Sequence, residues 1–115
     1  MNRGDLVIVD FRSTAPQAGV RPALVVQNDR DNARMGNTIV VQVTTTIHRM
    51  GRDTQLLIDA SHSDWSRSGL RRPSVVNCSN IYTIDGRDVA RIIGSLSANT
   101  MESIDACLKV ALSLA

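Results

Sequence analysis

The 115-residue sequence lacks the features that mark several common protein classes. Its two cysteines, Cys78 and Cys107, lie in apolar surroundings without the Cys-x-x-Cys or Cys/His spacing of a redox pair or a zinc site. No apolar run approaches the roughly 20 residues that cross a bilayer. Residues 1–4, ahead of the first predicted strand, leave no room for a signal peptide. We therefore expect reduced, buried thiols in a cytoplasmic protein with no membrane attachment.

Motifs for metal or nucleotide chemistry are also missing. The sequence has no His-Glu-x-x-His pattern, no evident cluster of metal-binding carboxylates and no glycine-rich phosphate loop. We predict neither a metal nor another cofactor. This disfavours a metal-dependent nuclease or a nucleotide hydrolase.

Lysine is almost absent, because Lys109 is the only lysine among 13 positively charged residues. The net charge of +2 does not by itself indicate a polyanionic partner. Arginine, however, offers a planar fork for phosphate and a face that stacks on bases. A bias in codon composition explains the preference equally well. The densest group of arginines lies between residues 47 and 73 and predicts a local basic surface: Arg49, Arg52, Arg67, Arg71 and Arg72.

The length and the hydrophobic pattern predict one domain over residues 1–115. Short β-branched runs indicate strands at residues 5–11, 23–26, 38–47, 55–59, 74–80, 81–84 and 91–96. The last segment has helical spacing and a capping box formed by Asn99 and Glu102. Strands in close succession followed by one helix predict a mainly β (α+β), antiparallel domain.

The stretch at residues 19–29 is the most informative. It enters through Gly-Val-Arg-Pro and continues as Ala-Leu-Val-Val, which is typical of a buried strand. Pro22 belongs at the first position of a strand and restrains Arg21 to an extended backbone. Arg21 is therefore expected at the entrance of the strand, with the direction of its guanidinium fixed. The residues alone leave open an ordinary surface arginine.

Two neighbouring segments add to this interpretation. The loop at residues 12–19 is longer than a minimal hairpin requires, and such loops often carry function. In the third strand, period-two alternation places Gln42 and Thr44 on the more polar side. The alternative is that residues 44–46 are simply threonines favoured by strands.

The ordered set of segments resembles the MazF/PemK family of toxin endoribonucleases over nearly the whole chain. The segments are Arg-Gly-Asp at 3–5, Gly-Val-Arg-Pro at 19–22, Gln-Asn-Asp at 27–29, the strand at 38–45, Ser-Gly-Leu at 68–70, Ser-Val-Val-Asn-Cys at 74–78 and Thr-Ile-Asp at 83–85. The resemblance implies a small SH3-like antiparallel β-barrel with a C-terminal helix, usually a homodimer. It also implies the toxin of a type II toxin-antitoxin system, controlled by a cognate antitoxin. Such a toxin cleaves single-stranded RNA sequence-specifically, without a metal, by attack of a 2′-hydroxyl on the adjacent phosphate.

By the same resemblance, Arg21 and Thr44 are the catalytic pair. Arginine is effectively always protonated, so we assign Arg21 a charge-stabilising role rather than that of a general base. Thr44 donates its hydroxyl to the phosphate. His48 is a possible acid-base residue, although a lone histidine in a loop is more often simply solvated. The predicted RNA-binding residues are Gln17, Gly19, Pro22, Thr45, Thr46, Arg49, Asn77, Ser79, Asn80 and Tyr82.

The sequence departs from the family pattern in the fifth strand. Where the PemK-like branch tends to have Arg-Cys-Asp-Gln, this chain has Asn-Cys-Ser-Asn at 77–80, and Tyr82 stands where an arginine often precedes Thr-Ile-Asp. The amides and the hydroxyl suggest a different base preference, with Tyr82 as a stacking group. Two other functions stay open. One is a CcdB-like, non-catalytic toxin that poisons gyrase, and the other is a family member that binds RNA without cutting it.

Overall fold

The computed structural model describes residues 1–47 and 51–115. In chain order the elements are β1 (Asp5–Asp10), β2 (Val20–Val25), α1 (Asp29–Arg34), β3 (Asn37–Thr44), β4 (Gln55–Ile58), α2 (Trp65–Ser68), β5 (Ser74–Asp85), β6 (Val89–Ser95) and α3 (Ala98–Leu112). A single 3₁₀ turn, Gly86–Asp88, joins β5 to β6.

The strands form one antiparallel sheet in the order β4-β5-β3-β2-β1-β6. The prediction of a mainly β, antiparallel domain with a C-terminal helix is therefore confirmed. The sheet is open, because within the described residues β4 and β6 are edge strands that do not pair with each other. The barrel that the resemblance implies is therefore not closed in this structure: β4 has four residues and pairs only with the first part of β5.

Alternation along the central strands fills two cores, one on each side of the sheet. Leu24 and Val41 pack in the first core, together with Ile104 from α3. Val25 and Val40, their neighbours on the same two strands, pack in the second core with five other residues. Those five are Val7, Val9, Phe11, Ala23 and Ile84. The central strands are therefore buried on both faces of the sheet.

The two predicted strands at residues 74–84 are one continuous strand with a bulge. Val41 of β3 pairs with Ile81, but the next residue, Gln42, pairs with Asn77. Residues 78–80 therefore have no partner on β3. The Cys78 N–H donates instead to the Thr54 carbonyl at 2.9 Å, which preserves a hydrogen bond in the bulge.

Helix α3 begins two residues earlier than the predicted capping box. Ser97 is the N-cap, and its Oγ accepts from the Thr100 N–H at 3.3 Å. The Ser97 N–H donates to Asp64 Oδ2 at 2.8 Å. The carboxylate that completes a capping box thus comes from the β4–β5 connection and not from Glu102. Asp64 is only 3% exposed, so it ties this connection firmly to the helix.

Cys78 and Cys107 are both buried and unbridged, as predicted. Burial raises the pKa of Cys78 to about 12, with the neighbouring Cys107 thiol as a smaller cause. Both thiols therefore stay protonated at neutral pH. Nowhere in residues 1–47 and 51–115 do three His, Cys, Asp or Glu side chains come together as a metal site would require. The described helices include none with the length and apolarity needed to cross a membrane.

Candidate active site

A cleft opens where β2 and β3 separate. The two strands pair from Val25 to Ala23 and no further, and the next residue toward the start of β2 is Pro22, which has no N–H to donate. The cleft has a volume of about 360 Å³. Its lining comprises Gln17, Ala18, Arg21, Pro22, Gln42, Val43, Thr44, Thr45 and Thr46.

The strand register brings the predicted catalytic pair together. Ala23 is directly opposite Gln42, and two residues further in opposite directions along the strands are Arg21 and Thr44. Because side chains alternate in a strand, all four residues belong to the same face of the sheet. Arg21 and Thr44 therefore face one another across the mouth of the cleft, and both line it.

One end of the Arg21 guanidinium is held by its own loop. Its Nε donates to the Ala18 carbonyl at 2.8 Å. Three ion pairs occur among the described residues, and all of them lie elsewhere: Arg3–Asp105, Arg12–Asp10 and Arg87–Asp85. The cleft lining contains no carboxylate, so nothing within that lining neutralises the charge of Arg21.

The loop that carries Ala18 is closed at its base. The Phe11 N–H donates to the Gly19 carbonyl at 2.9 Å, and Gly19 has a φ of +67°, a conformation that favours glycine. Arg12 in this loop is held by Asp10, with Nη2 to Oδ2 at 2.7 Å. Hydrogen bonds from Arg12 lower the pKa of Asp10 to about 2. Of the two arginines that flank the loop, only Arg21 is thus left for an anion.

Thr44 is oriented by the chain that follows it. Its Oγ1 accepts from the Thr46 N–H at 3.1 Å. A hydroxyl that accepts one hydrogen bond still has its own proton to donate. Thr44 therefore offers the cleft an O–H donor beside the cationic fork of Arg21.

The other predicted RNA-binding residues divide into two groups. Gln17, Pro22, Thr45 and Thr46 line the cleft directly, whereas Gly19 lies at the base of the loop and is not part of the lining. Those of β5 do not line it, although Asn80 reaches it indirectly, because its Nδ2 donates to Gln42 Oε1 at 2.7 Å.

Two further β5 residues make contacts within the fold. Asn77 Oδ1 accepts from the Ser79 N–H at 3.1 Å. The ring of Tyr82 packs against Phe11 at a centroid distance of 5.1 Å, so part of its surface is already covered. His48 and Arg49 lie outside the described residues.

Gln42 and Ala18 belong to the cleft but were not among the predicted site residues. Gln42 is the one long polar side chain in β3, on the same alternating face as Thr44, and this was the available signal. Ala18 contributes through its backbone carbonyl. No side-chain pattern predicts such a contact.

Comparison with known proteins places this chain in a family. Residues 2–112 match the model of the PemK-like, MazF-like toxins of type II toxin-antitoxin systems. The chain is 34% identical over 116 residues to the endoribonuclease EndoA of Bacillus subtilis, covering 99% of this chain and 96% of EndoA.

Two solved structures are also similar. An endoribonuclease in complex with its cognate antitoxin, from a mycobacterial species, has a TM-score of 0.81 at 26% identity and covers 100% of this chain and 97% of its own. The Mycobacterium tuberculosis toxin MazF-mt6 has a TM-score of 0.79 at 27% identity, with coverage of 96% and 98%. With the family model spanning nearly every residue, the chain belongs to the PemK-like, MazF-like toxins of type II toxin-antitoxin systems.

Proposed function

We propose that this endoribonuclease toxin cuts single-stranded RNA in the cleft between β2 and β3, with Arg21 and Thr44 acting on the scissile phosphate. The observation that carries the proposal is the convergence, in one cleft, of a hydroxyl donor and an arginine that has no carboxylate beside it in the described lining. Arg21 supplies a planar fork that fits two phosphate oxygens. Thr44 supplies a third donor from the opposite strand.

The reaction needs no group beyond the RNA and the protein. The ribose 2′-oxygen forms a bond to the adjacent phosphorus, and the bond from phosphorus to the 5′-oxygen breaks. Negative charge grows on the non-bridging oxygens in the transition state, where Arg21 and Thr44 stabilise it. The products are a 2′,3′-cyclic phosphate and a 5′-hydroxyl.

Two proton transfers accompany this exchange, one from the 2′-hydroxyl and one to the leaving 5′-oxygen. No His, Asp or Glu is among the described residues that line the cleft. Arg21 does not serve as the base, since its guanidinium stays protonated. His48, four residues beyond Thr44 in the sequence, is the candidate acid-base residue.

Base preference is proposed to reside in the bulge of β5 and in Gln42. The hydrogen bond from Asn80 to Gln42 connects the bulge to the cleft. Amide and hydroxyl groups of Asn77, Ser79 and Asn80 present donors and acceptors that suit the edges of unstacked bases. The PemK-like branch tends to have charged residues in this strand, so we expect a different recognition sequence for this chain.

The chain is proposed to act in the cytoplasm as a homodimer bound by a cognate antitoxin. A similar solved endoribonuclease is in complex with its own antitoxin. The end of α3 leaves Val110 and Leu112 about half exposed, and a 115-residue domain gains burial by pairing.

The test is to incubate purified protein with a long unstructured RNA in EDTA and to map the new ends. Discrete cuts with cyclic phosphate ends support the proposal. Retardation of the RNA without cuts would indicate a family member that binds but does not cleave. The absence of both would direct attention to a gyrase-poisoning function.

A further inference from the structure

A second cleft, here called the arginine cleft, adjoins the one between β2 and β3. Its volume is about 520 Å³, and three arginines line it: Arg71, Arg72 and Arg91. Its lining also includes the apolar side chains of Leu70 and Ile92.

Two glycines bring the three arginines together. The loop after α2, which carries Arg71 and Arg72, lies directly on β6, the strand of Arg91. A Cβ on Gly69 would lie 2.1 Å from the Ile93 carbonyl oxygen, and one on Gly94 would lie 2.2 Å from the Arg67 carbonyl oxygen. Only glycine allows backbones to approach this closely. The clustering of charge is therefore built into the packing of the loop on the sheet.

The arginine cleft carries positive charge without an internal counter-charge. None of its lining residues is Asp or Glu, and none of its arginines belongs to an ion pair among the described residues. All three arginines are exposed. A protein of net charge +2 thus concentrates unpaired cations at one place. A phosphate ligand would reduce their mutual repulsion.

The two clefts adjoin one another, because Pro22 and Thr45 line both of them. Side chains alternate along β2, so Pro22 and Arg21 point to opposite faces of the sheet, and the clefts meet where β2 begins and β3 ends. Thr45 follows Thr44 directly and lies at this border. An RNA strand that extends from Arg21 past Pro22 and Thr45 would reach the arginine cleft.

We propose that the arginine cleft binds the phosphates of nucleotides that flank the cut site, on one side of it. The inference rests on the proposed function of the neighbouring cleft. Arginine forks contact phosphate oxygens in pairs, and the apolar side chains of the lining accommodate the faces of riboses or bases. The arginine cleft thereby adds affinity for longer RNA and takes no part in bond breaking.

The experiment compares RNAs that differ only in their flanks. Once the cut site is mapped, one short RNA spans that site alone, and two others extend it on the 5′ or the 3′ side. Each carries a 2′-deoxy sugar at the cut site, so that binding is measured without cleavage. The test variant is Arg71→Ala/Arg91→Ala. The matched control is Arg30→Ala/Arg34→Ala, which removes the same charge from α1, away from both clefts.

For the wild type, one of the two extensions should tighten binding, and the test variant should lose most of that gain. Its salt dependence on the extended RNA should weaken by about 1.4 in log–log slope, for two lost contacts at about 0.7 each. Single-turnover cleavage of an all-ribose short RNA should stay within a few-fold of wild type. The control variant should keep both the tighter binding of the extended RNA and the salt dependence of the wild type.

Three results would overturn the proposal. The first is an equal loss of RNA affinity in the test and control variants. The second is a loss of affinity by the test variant for the short RNA that equals its loss for the extended RNA. The third is a change in sedimentation of the test variant with RNA binding unchanged. The last result would indicate that the arginine cleft contacts another protein molecule and not RNA. If the wild type cuts no RNA at all, the proposed function itself fails and this inference fails with it.

Discussion

The Arg21 side chain is partly fixed before any ligand arrives. The bond from its Nε to the Ala18 carbonyl restricts the rotamers of a long side chain while leaving the other guanidinium donors unused by that contact. An arginine that is already oriented loses less conformational entropy when its fork meets a phosphate. The Ala18 carbonyl, three residues earlier in the chain, thus contributes to the site without touching the substrate.

At Thr44 the hydroxyl and the side-chain shape have separable roles. Thr44→Val keeps the shape but removes the O–H donor, and we expect single-turnover cleavage to fall by about 100- to 1000-fold. Loss of the hydrogen bond from the Thr46 N–H should cost about 1 kcal/mol of stability. Thr44→Ser is the matched control and should keep most of the rate. Near-normal cleavage by Thr44→Val would remove Thr44 from the catalytic pair.

Asp64 makes stability depend on pH. Burial acts to raise its pKa, but hydrogen bonds from the Ser97 backbone and from the Thr100 and Ser97 side chains outweigh burial, so the pKa lies below its ordinary value. A carboxyl with a lowered folded-state pKa contributes stability above its unfolded pKa, near 3.9, and loses it as the pH falls through the folded value.

Asp64→Asn should therefore lower the free energy of unfolding by about 1 to 3 kcal/mol at neutral pH. The difference between wild type and variant should shrink below about pH 4. Urea unfolding across this pH range is the measurement. A difference that stays constant with pH would show that the charge of Asp64 does not support the start of α3.

At the scale of elements, the bulge of β5 is connected to the cleft by a hydrogen bond from Asn80 to Gln42. Gln42 receives its hydrogen bond from Asn80, which lies 38 residues further along the chain. We expect Gln42→Ala to change the distribution of cut sites on a long RNA more than the rate at the preferred site. Sequencing of the cleaved ends measures both. Thr83→Ala, at an exposed β5 position outside the cleft, is the control, and an unchanged cut pattern in Gln42→Ala would contradict this role.

Local patterns predicted most of the elements because they depend on periodicity. The alternation of β3 separates Val41 and Val43 from Val40, as the structure has it. The bulge at 78–80 could not be predicted, since polar residues inside a strand look like its end. The start of α3 was misplaced for a similar reason. Asn99 satisfies the local rule, but the acid that completes the cap is Asp64, which is near only in the folded chain.

The site also has a part that local sequence predicts and a part that only the folded chain reveals. Pro22 predicts an extended, aimed Arg21, and the order of strands brings Thr44 beside it. Gln42 and the Ala18 carbonyl needed the folded structure, because their roles depend on partners across the sheet or within the loop. The family resemblance supplied the roles, and the register supplies the physical reason for the proximity.

At the scale of the whole molecule, charge is unevenly paired. In the part of the chain that the structure describes, Arg3, Arg12 and Arg87 are matched by carboxylates, whereas Arg21 and the arginines of the arginine cleft are not. The net charge of +2 conceals this arrangement. Local positive surfaces, and not the overall field, are therefore where a nucleic acid is expected to bind.

We expect the active assembly to be a homodimer. Sedimentation at micromolar concentration should give twice the 12.5 kDa mass of the chain. Leu112→Asp, on the exposed end of α3, should weaken the dimer, whereas Arg30→Ala should not. Full cleavage activity from a preparation that contains only monomer would contradict the prediction.

Measuring cleavage and folding together in Arg21 variants tests the central claim most directly. Arg21→Ala should lower the single-turnover rate by about 100- to 1000-fold, or about 3 to 4 kcal/mol of transition-state stabilisation. Arg21→Lys should also be strongly impaired, because an ammonium cannot reproduce the planar fork. Since Arg21 is exposed, stability should change by no more than about 0.5 kcal/mol. Cleavage by Arg21→Ala within a few-fold of wild type, or its loss through unfolding alone, would contradict the account.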